Sequence, residues 1–145
     1  MNETAELLKK LLADNFAFYL KTHYFHWNIE GPDFPQYHDF LQNLYQEVYG
    51  AVDPTAELIR SLGEYAPGSF SRYSELTTIK DSRSIPQDME MFNELYMDNI
   101  ILLQSLNDVY DSAEKNRFFG VSNFIQARIE QHMKHKWMLN SIIKR

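Results

Sequence analysis

A chain of 145 residues, 44% hydrophobic and 23% charged, is long enough to bury one proper core, and its composition excludes disordered and collagen-like readings. The net charge of −6 argues against a surface that grips nucleic acid broadly, and no Lys/Arg-rich tail extends past the helical pattern at either end. Cysteine is absent, so disulfides and thiolate metal sites are excluded and any metal must be held by His, Asp, Glu and similar ligands, which favours harder or borderline ions.

The acidic start, Met-Asn-Glu-Thr-Ala-Glu, lacks the basic patch and apolar run of a signal peptide. The longest purely aliphatic run is Ile100 to Leu103, so neither export nor membrane insertion is expected. Residues 5 to 29 read as a first helix, because Leu8, Leu12, Phe16, Tyr19, His23 and His26 recur at steps of three and four and place both histidines on its buried stripe. Gly31 and Pro32 end it, and Asp33 with Gln36 three residues on forms a variant capping signal for a second helix over 34 to 62, stopped by Gly63. Pro54 lies inside that helix, where its missing N–H and its ring's clash with the Gly50 carbonyl predict a kink or interruption. Residues 63 to 83 read as a long connection with room for a short helical turn. Ser84 with Gln87, and Pro86 in the first turn, opens a third helix to about residue 115. A turn around Asn116 to Gly120 leads into a fourth, with Phe124, Ile125, Ile129, Met133, Trp137, Leu139 and Ile142 as its apolar positions. Four long helices without a convincing strand, in one domain over 1–145, predict an all-α, ferritin-like four-helix bundle with one long crossover connection between helices two and three.

On the second helix His38, Gln42, Asp53 and Glu57 fall within about 100° of arc at about 100° per residue, one broad face. With His26 they make an oxygen and nitrogen set suited to iron, manganese or zinc. Distance then intervenes. His38 and Asp53 are separated by about 22 Å along a helix rising about 1.5 Å per residue, so one chain cannot wrap one ion with both ends. If two copies pair through helix two around a twofold axis, the His38 end of one meets the Asp53 to Glu57 end of the other, which gives two equivalent sites per dimer. An intrachain di-iron centre needs Glu-x-x-His on two helices, and Glu47, Glu57, Glu90, Glu94 and Glu130 are not followed by histidine at that spacing.

The run from His23 to Gly63, with H-x-x-H-W-N, then G-P-x-F, His38 twelve residues after His26, D-x-x-A-E and a closing L-G, resembles the Dps family, the mini-ferritins. The similarity continues in R-I-E-Q-H-M-K-H-K-W-M-L of the last helix and so covers nearly the whole chain. The resemblance implies a cytoplasmic homododecamer built from twofold dimers. Its intersubunit sites would bind Fe(II), oxidise it with hydrogen peroxide as preferred oxidant, and store the ferric product in an acidic cavity, giving protection from oxidative stress. By resemblance His26 and His38 bind iron from one subunit and Asp53 and Glu57 from its partner, with Glu57 bridging and Trp27 intercepting stray radicals. Gln42 departs from the family pattern, which has an acidic residue there, and Pro54 is a second departure.

Plainer readings stand beside these. Asp53 before Pro54 is also an N-cap and first-turn pair, and His26 and His38 also suit hydrogen-bonded histidines at a helix junction. His23 reads as a buried, hydrogen-bonded histidine, His132 and His135 as surface or packing residues flanked by Lys134 and Lys136, and Tyr45 and Tyr49 as core and interface. Glu47 and Glu64 read as solvated acids. Two rivals to the ferroxidase remain: a shell whose oxidation chemistry Gln42 and Pro54 have weakened or removed and which binds another metal, and a DNA-compacting protein, against which the acidic charge argues.

Overall fold

The computed structural model describes residues 2–144, which are helical throughout apart from connections, with no strand among them. Helix α1 runs Glu3–Asn28, α2 Phe34–Tyr49, α3 Val52–Ser61, α4 Phe70–Leu76, α5 Asp88–Lys115 and α6 Phe119–Ile143. The expected ferritin-like bundle is present: α1, the α2–α3 pair, α5 and α6 are its four members, and α4 rides on the crossover between the second and third.

Asn2 starts α1 by accepting the Ala5 N–H on its side-chain oxygen at 3.1 Å, with Glu3 and Glu6 complementing the helix dipole. Its buried face is Leu8, Leu11, Leu12, Phe18 and Phe25, whereas Phe16, Tyr19 and His23 lie half-buried at its edge. The predicted stripe is thus turned slightly: His26 is inside, but His23 is at the margin.

The predicted second helix is interrupted as Pro54 requires, and the break falls at Gly50–Ala51, just upstream of the proline. The Ala51 N–H turns back to Val48 O in a tighter bond and the Thr55 N–H reaches Ala51 O, so Pro54 sits in the first turn of α3, where no N–H is demanded of it. Ala51 is the N-cap, which leaves Asp53 in the first turn and not at the capping position. The Asn15 side-chain amide donates to Val48 O at 3.0 Å and fastens this joint to α1.

Asp14, fully buried, ties the crossover down. It accepts from Thr77 Oγ1, Ser105 Oγ and Lys10 Nζ at 2.7 Å each and from Thr78 N at 2.9 Å, joining α1, α5 and the segment after α4. Helix α5 begins at Asp88 with Gln87 as N-cap, later than the expected start at Ser84. Ile85, preceding Pro86, is steered out of the helical region and delays it. Asn116 closes α5, and α6 starts already at Phe119, so Gly120 belongs to its first turn.

Candidate metal centre

The corner between α1 and α2 is built around Gly31, whose φ of +132° lies outside the range other residues adopt readily. It brings the end of α1 against the start of α2, so that the His26 and His38 rings stack 3.8 Å apart, 14° from parallel. Each ring bonds the other's main chain: His26 Nδ1 to His38 O, and His38 Nδ1 to His26 O, both at 2.8 Å. A carbonyl oxygen only accepts, so both Nδ1 atoms carry a proton, and in the neutral ring this leaves Nε2 as the atom with a bare lone pair. Neither Nε2 has a hydrogen-bond partner among the described residues. Outer-sphere carbonyls that fix the tautomer in this way are what a metal-binding imidazole needs.

Aromatic rings complete the wall. Phe34 stacks on His38 at 4.8 Å, and Tyr45 meets His26 edge-on at 5.2 Å and lies flat on His23 at 3.8 Å. His23 Nδ1 also bonds the Tyr19 hydroxyl at 3.0 Å; burial, then the neighbouring His26, lowers its pKa. Trp27 packs 4.1 Å from His23 with 59% of its surface exposed, close to the histidine pair but not in the core.

Asp53 and Glu57 stand one turn apart on α3, exposed and without hydrogen-bond or ion-pair partners among the described residues. Both lie beyond the Gly50–Ala51 joint. Among the described residues no three His, Asp or Glu side chains gather into a metal-holding group. The chain therefore presents an imidazole pair and a separate carboxylate pair.

Other sequence expectations need correction. Glu47 is no solvated acid: it binds Arg128 through both guanidinium ends and accepts from His135 Nε2 at 2.7 Å. Burial alone would raise its carboxyl, but the His135 and Arg128 hydrogen bonds and the Arg128 charge outweigh that and hold it down at about 2. His132 is fully buried and accepts a hydrogen bond from Arg128 Nη2 on its Nε2 at 2.8 Å, so its Nδ1 donates to Asn99 Oδ1 at 2.8 Å. Burial, then the Arg128 charge, drives its pKa far down. His132 and His135 are thus packing residues, not surface ones. The signal was available: Ile125, Arg128, His132, His135 and Leu139 form one helical stripe, all buried, while Met133 and Trp137, counted among the apolar positions, are 50% and 65% exposed. A second interior cation, Lys21, lies 2.9 Å from Asp98 Oδ2 but without hydrogen-bond geometry, and burial raises the Asp98 carboxyl despite it. Two protein cations, Arg128 and Lys21, are thus buried in the interior, each beside a carboxylate.

Comparison with known proteins agrees with this architecture. The family model for the ferritin-like domain matches residues 5–145. A DNA protection during starvation protein of Brevibacillus brevis is 31% identical over 143 residues, 97% of this chain and 94% of that protein. A low temperature-induced protein of Nostoc sp. is 31% identical over 140 residues, 95% of this chain and 78% of its own length. Among solved structures, the Dps protein of Vibrio cholerae O1, described as a ferritin-like diiron-carboxylate protein, superposes with a TM-score of 0.94 at 30% identity, covering 98% of this chain and 89% of that one. The Dps of Bacillus brevis superposes with a TM-score of 0.93 at 28% identity, covering 97% and 95%. With matching helices, crossover and sequence along nearly its whole length, the chain belongs to the ferritin-like family and, within it, to the Dps mini-ferritins.

Proposed function

We propose that the protein stores iron and protects against oxidative damage by oxidising Fe(II) at sites shared between two protomers. The observation that carries this reading is the reciprocal His26–His38 pair, whose two free Nε2 lone pairs lack the acidic ligands to complete a site. In a twofold dimer Asp53 and Glu57 of the partner subunit supply them, giving two imidazoles and two carboxylates, a set that suits Fe(II). Exposed Trp27 and Phe34 beside the histidine pair, and Tyr49 at the end of α2, give the dimer apolar surface to cover. Two Fe(II), one from each of the two sites of a dimer, supply the two electrons that hydrogen peroxide takes; with two protons it becomes two waters. Trp27 is placed to donate an electron to any radical that does form. Twelve such protomers form the shell in the cytoplasm, with the ferric product inside.

Subunit mixing tests the shared site. A shell of His26→Ala/His38→Ala chains and a shell of Asp53→Ala/Glu57→Ala chains should each be nearly inactive. Dissociated and reassembled together in equal amounts, they should recover roughly a quarter of the wild-type rate, because half the dimers are mixed and each of those regains one of two sites. A mixture as inactive as its parents would show that imidazoles and acids do not meet across the interface.

Binding to DNA is not part of this reading. No described helix is long and apolar enough to span a membrane, and the chain's charge of −6 repels another polyanion. Electrophoretic shift assays at about 0.15 M salt should show free DNA, where the Debye length of about 8 Å leaves only close contacts effective; a retained complex would contradict it.

A further inference from the structure

We propose that each shared site holds a single divalent cation and that Gln42 sets this number; the inference rests on the shared-site reading and adds its stoichiometry. Gln42 follows His38 by one turn and precedes Tyr45 by three residues, so the three project from one face of α2. The rings of α1 fix where that face points. His38 stacks on His26, and Tyr45 lies 3.8 Å from His23 and 5.2 Å from His26. Gln42 is therefore bracketed by two residues aimed at the histidine pair, is half-buried, and has no hydrogen-bond partner among the described residues.

Charge then decides. An imidazole that ligates a cation through Nε2 is neutral, its one proton on the Nδ1 held by the carbonyl, so the donor set carries only the two negative charges of the partner's Asp53 and the partner's Glu57. One divalent cation cancels them. A second would leave two positive charges uncompensated in an interface lined by Trp27, Phe34 and Tyr45, and two dications repel about four times as strongly as two unit charges at the same separation. The Gln42 amide oxygen is neutral and a weak ligand for such ions. Donor number agrees: two ring nitrogens and two carboxylates complete about four positions around one ion, but leave about two apiece if divided. A carboxylate at position 42 would correct both shortfalls at once.

Zinc, which has no redox chemistry to confuse the count, is the probe. Assembled shells are dialysed against it, and the ions lost in the His26→Ala/His38→Ala variant are assigned to the site. The expected result is one zinc per chain in the wild type and two in Gln42→Glu or Gln42→Asp, with gel filtration showing every shell intact. Two site ions per chain in the wild type would overturn the proposal while leaving the shared site standing. One per chain in all three proteins would overturn the assignment to Gln42. If removing both histidines released no zinc, the shared site itself would fall and this inference with it.

Discussion

His26→Ala/His38→Ala shells are expected to assemble yet to oxidise Fe(II) with peroxide on the order of 100-fold more slowly than the wild type, or worse, since altering even the groups that orient metal ligands costs 10–100-fold. Both nitrogen donors of the proposed site disappear, and the carboxylates of Asp53 and Glu57 alone hold Fe(II) weakly beside competing water. Each single variant should fall between the wild type and the double one: it loses one nitrogen donor and the ring stacked 3.8 Å away, while the survivor's Nδ1 keeps its bond to the main-chain carbonyl of the substituted position. Stopped-flow absorbance of the ferric product after anaerobic loading measures the rate, and gel filtration checks the shell. An assembled double variant with wild-type kinetics would remove the site from this corner.

The largest stability effect should come from Arg128→Met. Arg128 holds Glu47 at both guanidinium ends and donates to His132 Nε2, and it is itself buried. Removing it leaves a half-buried carboxylate with only His135 and a fully buried imidazole nitrogen with no donor, a loss of about 3–5 kcal/mol for a broken buried pair. Urea denaturation followed by circular dichroism should show the midpoint fall, and Arg128→Met/Glu47→Met should recover part of it, because an unpaired charge is worse than none. The same pair sets an acid limit. Glu47 is lowered from its ordinary value of 4.5 to about 2, so its contribution is fully present above the ordinary value and fades as pH falls from there towards 2. The wild type should therefore lose stability over that window more steeply than the Glu47→Met variants; parallel curves would mean the pair does not govern acid stability.

Much of this was legible in the sequence, and the limits have physical causes. Periodicity gave four long helices and the crossover, because an amphipathic helix must place its apolar residues at fixed spacing. Pro54 announced the interruption of the second helix, although the Gly50–Ala51 joint lies a turn earlier than the proline itself, since the lost N–H belongs to a bond reaching back four residues. The histidine pair was legible from two histidines flanking a Gly-Pro corner; its mutual carbonyl bonds were not, because they depend on the exact closure of that corner. The last helix misled the hydrophobicity rule. Arg128, His132 and His135 are interior because they satisfy one another with Glu47 and Asn99, and pairing across helices cannot be seen in one strip of residues. Met133 and Trp137, apolar in type, face outward.

The hand of the chain at Gly31 reaches further than backbone shape. The two ring protons are pinned by oxygens lying on opposite sides of that turn, so the corner acts as a tautomer lock. A side chain there would strain the bend, loosen the pins and let the protons migrate to the very nitrogens that must stay bare. A residue with no functional group of its own thus governs which atoms are basic.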